Sequence, residues 1–301
     1  MAAAPAGVIA IFGPTAVGKT GVALELAELL RAGGADPVAV SCDAIQVYRG
    51  LELLSGAPTA AERERLEHRL VGFVDPAEEF SAGRFAALAR SEIDTLLEAG
   101  RTPIVVGGTG LYMRAALADL DLRPPVQAAL RAAVEAEIAE RGPAALHAEL
   151  DADVAARVHR NDRKRIARAL ELQRAGLDPP ERSDGLWTAR LRHPTALVGI
   201  VVGADELADR IDRRVDAMLA GGAGEQARVV AAAGASRTAR AALGFEQAIA
   251  GDGDGMKAAH RRYGRRQMTW LRRMEGVEVI ERDGLDDVAV AALVATACGR
   301  G

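Results

Sequence analysis

Two spacings of apolar residues organise this chain. Val8–Phe12 (VIAIF), Pro37–Ser41, Pro103–Val106, Ala196–Val202 and Val277–Ile280 are short, continuous and rich in β-branched side chains, as expected of strands buried on both faces. Between most of them, apolar positions recur every three or four residues. This predicts helices over Thr20–Leu30, over 83–100 ending at Gly100, over 204–220 ending at Gly221 and Gly222, a long basic helix over 256–274 and a short terminal one over 285–298. Strands alternating with helices predict the α/β class, a parallel sheet covered by helices. From Leu120 to about Arg190 the strand pattern stops, and only helical periodicity remains, broken at Gly142–Pro143 and Pro179–Pro180. The expected organisation is an α/β core of residues 1–120 and 191–301 carrying a helical insertion, 121–190. No internal repeat is present.

Composition narrows the class. With 301 residues, 49% of them hydrophobic, the chain can bury a sizeable core. Cys42 and Cys298 are the only cysteines, too few for a disulfide framework or a zinc site, which fits a reducing cytoplasm. No apolar stretch reaches the roughly 18 residues of a membrane span, and the Ala-rich start lacks a charged leader. The expectation is a soluble, unexported, cytoplasmic protein with no membrane partner. A formal net charge of −4 excludes a uniformly cationic coat but hides two basic clusters. Residues 157–168 (RVHRNDRKRIAR) set six cations against Asp162, and residues 261–273 (RRYGRRQMTWLRR) carry six arginines and no acid. Helix faces bathed in solvent are normally mixed in sign, so both clusters point to a polyanion.

The run Gly13–Thr20, GPTAVGKT, names one such anion. It fits Gly-x-x-x-x-Gly-Lys-Ser/Thr between an apolar strand and an amphipathic helix, the context in which that spacing builds a phosphate-binding loop. Gly13 and Gly18 permit backbone angles that turn successive N–H groups inward at the positive end of the helix. Lys19 adds a charge for the terminal phosphates, and the Thr20 hydroxyl is placed to hold Mg²⁺. The fold class is therefore P-loop NTPase-like, although the loop accepts nucleotides and other diphosphates alike.

Two further strand ends carry chemistry. The second strand runs into SCDAIQVYRG, which places Asp43 at the carboxyl edge of the sheet beside the phosphate loop, as a Mg²⁺ ligand or as a general base. The third runs into VVGGTGLYMRA, presenting Thr109 at a helix start. There the hydroxyl can cap its own helix or stabilise a leaving-group oxygen.

These segments, with HRNDRKRIARALEL, LADRIDRRVDAML, ALGFEQAI and RRYGRRQMTWLRR in that order, resemble the tRNA dimethylallyltransferase family from about residue 8 to residue 282. The resemblance implies transfer of a dimethylallyl group from dimethylallyl diphosphate to the exocyclic amine of the adenosine 3′ of the anticodon, with Mg²⁺ as cofactor and the anticodon stem-loop of tRNA as partner to a monomer. Asp43 would match the family's general base, and Thr109 the residue that contacts the bridging oxygen and the flipped adenosine. Gly13 and Thr15, Ala16, Val17, Gly18, Lys19 and Thr20 would hold the diphosphate, helped by Arg210 or Arg214 and by Arg265. Ala44, Ile45 and Gln46, which helps read the base, would join Asp43 and Thr109 against the tRNA. In the insertion, Asn161, Arg163, Lys164, Arg165 and Arg168 would meet its phosphates.

The sequence departs from that pattern at several points. Ala44 stands for a common serine, and LELLSGAPT over 51–59 for Met-Asp-Ile-Gly-Thr-Ala-Lys-Pro, so that Leu54 replaces the glycine and Ala57 the lysine. GFEQ at 244–247 stands for Gly-Tyr-Lys-Glu. Other readings of the same residues are a P-loop kinase of a small molecule or nucleoside, a prenyltransferase acting on free AMP or ADP, and an RNA-binding protein with a degenerate loop. The kinase reading accounts for the loop but not for the charged insertion.

Overall fold

The computed structural model describes residues 7–120, 122–123, 126–178 and 189–299. The elements run β1 (Val8–Phe12), α1 (Lys19–Ala32), β2 (Pro37–Ser41), α2 (Glu52–Ser55), α3 (Ala60–Arg65), β3 (His68–Arg69), α4 (Ala82–Glu98), β4 (Thr102–Gly107) and α5 (Gly110–Leu117). Then come α6 (Ala128–Arg141), α7 (Pro143–His147), α8 (Ala152–Ala155) and α9 (Arg163–Arg174). After these follow β5 (Thr195–Val201), α10 (Ala204–Ala220), α11 (Ala223–Ala232), α12 (Arg237–Arg240), α13 (Phe245–Ala250), α14 (Gly253–Leu271), β6 (Glu278–Glu281) and α15 (Asp287–Cys298).

The strands form one parallel sheet in the order β3-β2-β4-β1-β5-β6. Parallel strands need crossovers, and helices covering both faces keep water from β1 and β2, whose five residues each are all buried. The register pairs Phe12 with Gly107 and Ser41 with Val106. The segments leaving β1, β2 and β4 therefore emerge side by side at one edge, where an open α/β sheet places its ligand.

Residues 1–120 with 184–301 make one unit and 121–183 a second. Each has its own apolar core. In the first, β1, β2 and β4 pack against α1, α4 and α15. In the second, Val134, Ile138, Leu146, Leu150, Ile166 and Leu170 close against one another across α6, α7 and α9. The predicted break at Gly142–Pro143 is present, with Gly142 at φ +79 and Pro143 opening α7, where its missing N–H costs nothing. Pro179–Pro180 lies outside the described residues.

The strands predicted at Val8–Phe12 and Pro37–Ser41 and the helix predicted at 204–220 have the expected bounds, and the other predicted elements shift by a few residues. The long basic helix starts at Gly253, ahead of the predicted 256, because the Asp252 carboxylate accepts from the Gly255 N–H and caps it through a glycine-rich stretch. The sequence reading left out β3 and the short helices α2, α3, α11, α12 and α13. No helix among the described residues is long and apolar enough to cross a membrane.

Candidate functional site

At the sheet edge the phosphate loop folds as its spacing demands. Ala16 and Gly18 lie at φ +65 and +95, and this alternation of hands aims amide groups into a concavity. The Thr15 N–H donates to Gln267 Oε1 (2.8 Å) and the Val17 N–H to Pro14 O (3.4 Å). The N–H groups of Ala16, Gly18, Lys19 and Thr20 have no protein acceptor among the described residues. The Thr15 and Val17 N–H groups are thus taken by protein acceptors, where the resemblance had seven loop residues on the diphosphate. Lys19 Nζ donates to Gly13 O and Pro14 O (3.0 and 2.9 Å). Withdrawal from water, reinforced by the charge of Arg214 and opposed by Asp43, brings its pKa down to about 7.

The loop is braced from behind. Arg282, 4% exposed, donates to Val17 O (2.6 Å) and Leu285 O (3.2 Å) and pairs with Asp287 (3.0 Å). A Cβ on Gly18 would collide with this guanidinium, so Gly18 is required for packing as well as for its φ.

A cavity of about 840 Å³ opens in front of the loop. Lys19 and Thr20, Asp43, Thr109, Arg214, and Tyr263 with Gln267 reach it from five directions. Asp43 sits in a tight turn after β2, with one carboxylate oxygen accepting from the Ile45 N–H (2.9 Å) and the Gln46 N–H (3.3 Å). That leaves the second oxygen for a ligand. Ala44, Ile45 and Gln46 also line the cavity. Gln46 is already engaged, accepting from Ser41 Oγ (2.8 Å) and donating to Gly56 O (3.1 Å). The divergent segment 53–59 forms one wall. Leu54 is buried in the core, and the left-handed residue of this turn is Gly56 at φ +59.

Thr109 is the N-cap of α5, yet its side chain makes no capping bond. Its Oγ1 lies 3.2 Å from the hydroxyl of Tyr263. Arg214 is half-buried at the cavity, its Nε shielded from solvent and without a hydrogen-bond partner. Burial holds its pKa below the ordinary value, while Asp43 and Glu62 pull the other way. Arg210, one turn earlier, pairs with Glu206 (2.6 Å) and is not among the lining residues. Arg265 is exposed and also outside the lining, whereas Arg266 is part of it.

The largest omission of the sequence reading is the inward face of α14. His260, Tyr263 and Gln267 recur at helical spacing and all reach the cavity. Besides holding Thr15, Gln267 donates to Gly108 O (2.8 Å), tying the turn after β4 to the phosphate loop. A Cβ on Gly108 would collide with this amide. His260 donates through Nδ1 to Met256 O (2.9 Å), and burial with the charge of Arg214 lowers its pKa. The usable signal was polar residues at 260, 263 and 267 on one helix face, obscured by the arginines between them.

In the second unit the expected tRNA contacts divide into two sets. Arg168 is occupied, pairing with Glu171 (3.1 Å) and donating to Arg123 O (3.0 Å). Arg163 pairs with Glu135 (3.1 Å), and Arg165 loosely with Asp162 (3.5 Å), whose carboxylate caps α9. Asn161 and Lys164 are exposed.

Residues 46–274 match the sequence model of the family described as IPP transferase. The tRNA dimethylallyltransferase of Anaeromyxobacter dehalogenans is 43% identical over 282 residues, covering 89% of this chain and 93% of that protein. The tRNA dimethylallyltransferase of Salinispora arenicola is 36% identical, over 97% and 87%. Among solved structures, the full-length tRNA isopentenylpyrophosphate transferase from Bacillus halodurans superposes with a TM-score of 0.69 at 30% identity, over 97% of each chain. A eukaryotic dimethylallyltransferase acting on tRNA shares the fold at a TM-score of 0.68 and 23% identity, over 91% of this chain and 73% of that one. Matched by the family model over residues 46–274, and at more than 40% identity along nearly its whole length, the chain belongs to the IPP transferase family.

Proposed function

We propose that this protein transfers a dimethylallyl group from dimethylallyl diphosphate to the exocyclic N6 amine of the adenosine 3′ of the anticodon in tRNA, releasing diphosphate. The observation that carries the reading is the convergence of anion donors and a carboxylate on one cavity. Free loop amides, Lys19 and Arg214 line the same cavity as Asp43, whose second oxygen is open. A kinase reading leaves the basic cluster over residues 157–168 without a role.

In this mechanism the loop amides, Lys19 and Arg214 take up the charge that grows on the departing diphosphate, the kind of stabilisation that dominates such reactions. Asp43 accepts the N6 proton as nitrogen bonds to the allylic carbon, and the C–O electron pair leaves with the diphosphate. A positioned base contributes about 10²–10⁴-fold. The adenosine is flipped from its stack at a cost of a few kcal/mol, and Arg163, Lys164 and Arg165 hold the anticodon arm through its phosphates. The Thr20 hydroxyl is a hard oxygen donor, which suits Mg²⁺ shared with substrate phosphates. The ion supplies charge neutralisation on the diphosphate when bound.

The test is incubation of the protein and Mg²⁺ with labelled dimethylallyl diphosphate and unmodified tRNA, with AMP as acceptor and ATP alone run in parallel. Label in tRNA, lost in Asp43→Asn, is the expected result. Label in AMP only, or ATP turnover without transfer, would overturn it.

A further inference from the structure

The geometry points to Tyr263 as a positioning residue that orients the hydroxyl of Thr109 for catalysis. We propose that the Tyr263 phenol donates its hydrogen bond to Thr109 Oγ1, so that the Thr109 proton is left to point at the bridging oxygen of the bound allylic diphosphate. This inference rests on the prenyl-transfer reading above.

Three observations carry it. A threonine at an N-cap ordinarily spends its side-chain oxygen on a backbone N–H two or three residues on, and Thr109 does not. Its hydrogen-bond contact is instead the Tyr263 hydroxyl at 3.2 Å, brought in from α14 across 154 residues of chain. Both groups line the cavity that holds Lys19, Asp43 and Arg214.

The direction of the bond follows from acidity. A phenol is a far stronger acid than an aliphatic alcohol, so Tyr263 donates and Thr109 accepts. Arg266 lies over the Tyr263 ring, its guanidinium carbon 5.3 Å from the centroid, and a cation on that face draws density from the phenol and strengthens its O–H as a donor. Burial, with the nearby Asp43 carboxylate, pushes the phenol pKa up to about 12 despite the Thr109 bond and Arg266. Tyr263 therefore keeps its proton throughout the neutral range.

No proton leaves either hydroxyl during the reaction. The C–O bond breaks, its electron pair stays on the bridging oxygen, and the Thr109 O–H donates to that oxygen as its charge grows. Asp43 takes the proton lost from the amine. An undirected Thr109 hydroxyl would spend part of its time turned back toward its own helix or toward Asp43. Tyr263 removes those alternatives before substrate arrives, which is what preorganisation means for a single donor.

The experiment is a double-mutant cycle of Tyr263→Phe and Thr109→Ala, with transfer to tRNA measured under saturation and inorganic pyrophosphate binding as the control. Tyr263→Phe is expected to lower kcat about 10- to 100-fold, within the range seen when one oriented donor is lost. KM for dimethylallyl diphosphate and the affinity for pyrophosphate should stay within about twofold of wild type. In the Thr109→Ala background the same change should have almost no further effect, because the group it orients is gone. Wild-type kcat in Tyr263→Phe, or a loss that multiplies fully with that of Thr109→Ala, would overturn the proposal. Should Tyr263→Phe fail to fold, Arg266→Gln leaves the phenol in place. It should lower kcat a fewfold, and this effect must also vanish in Thr109→Ala. A wild-type protein that transfers nothing to tRNA would sink the prenyl-transfer reading itself, a distinct result.

Discussion

Lys19 should make the affinity of this site for diphosphate fall as pH rises through neutrality. Its ammonium is withdrawn from water beside Arg214, and with only Asp43 in opposition its pKa stands at about 7 against an ordinary 10.5. In the free protein at pH 7 about half of the molecules therefore carry the charge. A bound diphosphate favours the charged form, so the pKa in the complex lies higher and binding takes up a proton. The affinity is full below pH 7 and declines above it until the pKa of the complex is reached. Between pH 7 and 8.5 the charged fraction falls from about one half to about one thirtieth, which corresponds to a loss of roughly 15-fold in affinity. The last ionisation of a diphosphate ester, near pH 6, acts in the opposite sense and is nearly complete at the start of this window.

The assay is calorimetric titration with isopentyl diphosphate, an unreactive saturated ester, at pH 6.5, 7.5 and 8.5, in buffers of different ionisation enthalpy, which counts the protons taken up. Lys19→Arg is the control, since a guanidinium stays charged across the range. Affinity that is flat from pH 7 to 8.5 in the wild type, or an equal slope in Lys19→Arg, would refute the reasoning. The folding side has the opposite sign. The unfolded chain holds the Lys19 proton up to about pH 10 while the folded chain loses it near 7, so this group's contribution to stability rises with pH across that interval. The ligand-free protein should gain thermal stability from Lys19 over the same range in which it loses diphosphate affinity.

Gln267→Leu strands the Thr15 N–H and the Gly108 carbonyl in the interior. At about 1–3 kcal/mol for each orphaned group, we expect a clearly lower unfolding midpoint and a higher KM for the diphosphate; an unchanged midpoint would refute the bridging role. Arg282→Met removes the support behind Val17 and leaves Asp287 unpaired. Pyrophosphate affinity should drop while tRNA affinity, measured separately by filter binding, holds; loss of both together would assign Arg282 a global role. Arg165→Ala, at an exposed arginine with a loose ion pair, should weaken tRNA binding similarly for different tRNA sequences and reduce the salt slope by about one. A slope equal to wild type would remove Arg165 from the phosphate contacts.

The parts that sequence made legible are those whose physics is local. VIAIF and PVAVS are apolar throughout because their strands are buried on both faces, and GPTAVGKT can be read because a phosphate loop needs its glycines at fixed spacing. Asp43 and Thr109 followed from strand ends alone. By contrast β3 is two polar residues, His68 and Arg69, held only by their pairing with β2, and no periodicity can exist in so short a piece. The helices between 223 and 250 are cut by glycines that serve as their caps and so read as loops. Gln267 and Tyr263 were hidden for a different reason. Each acts on a partner 252 or 154 residues away, and nothing in RRYGRRQMTWLRR says which face of the helix will look inward. The resemblance pointed to Arg265, but of the two exposed neighbours it is Arg266 that lines the cavity.

That helix explains why the site depends on elements so far apart in the chain. The loops after β1 and β4 leave adjacent strands, but adjacency alone fixes neither the loop amides nor the Thr109 hydroxyl. Gln267 sets the first by holding Thr15 and Gly108 together, and Tyr263 meets the second one turn earlier. Close approach of α14 to these turns is possible only because Gly108 and Gly110 carry no side chain; a Cβ on either would strike Gln267 or Trp270. Gly108 and Gly110 therefore serve the helix that packs on them, while Gly107 makes room for the backbone of Cys42. Gln267→Leu should then alter diphosphate binding and Tyr263→Phe the orientation of Thr109, whereas a change at Arg262 or Arg265, exposed and outside the cavity lining, should leave both intact.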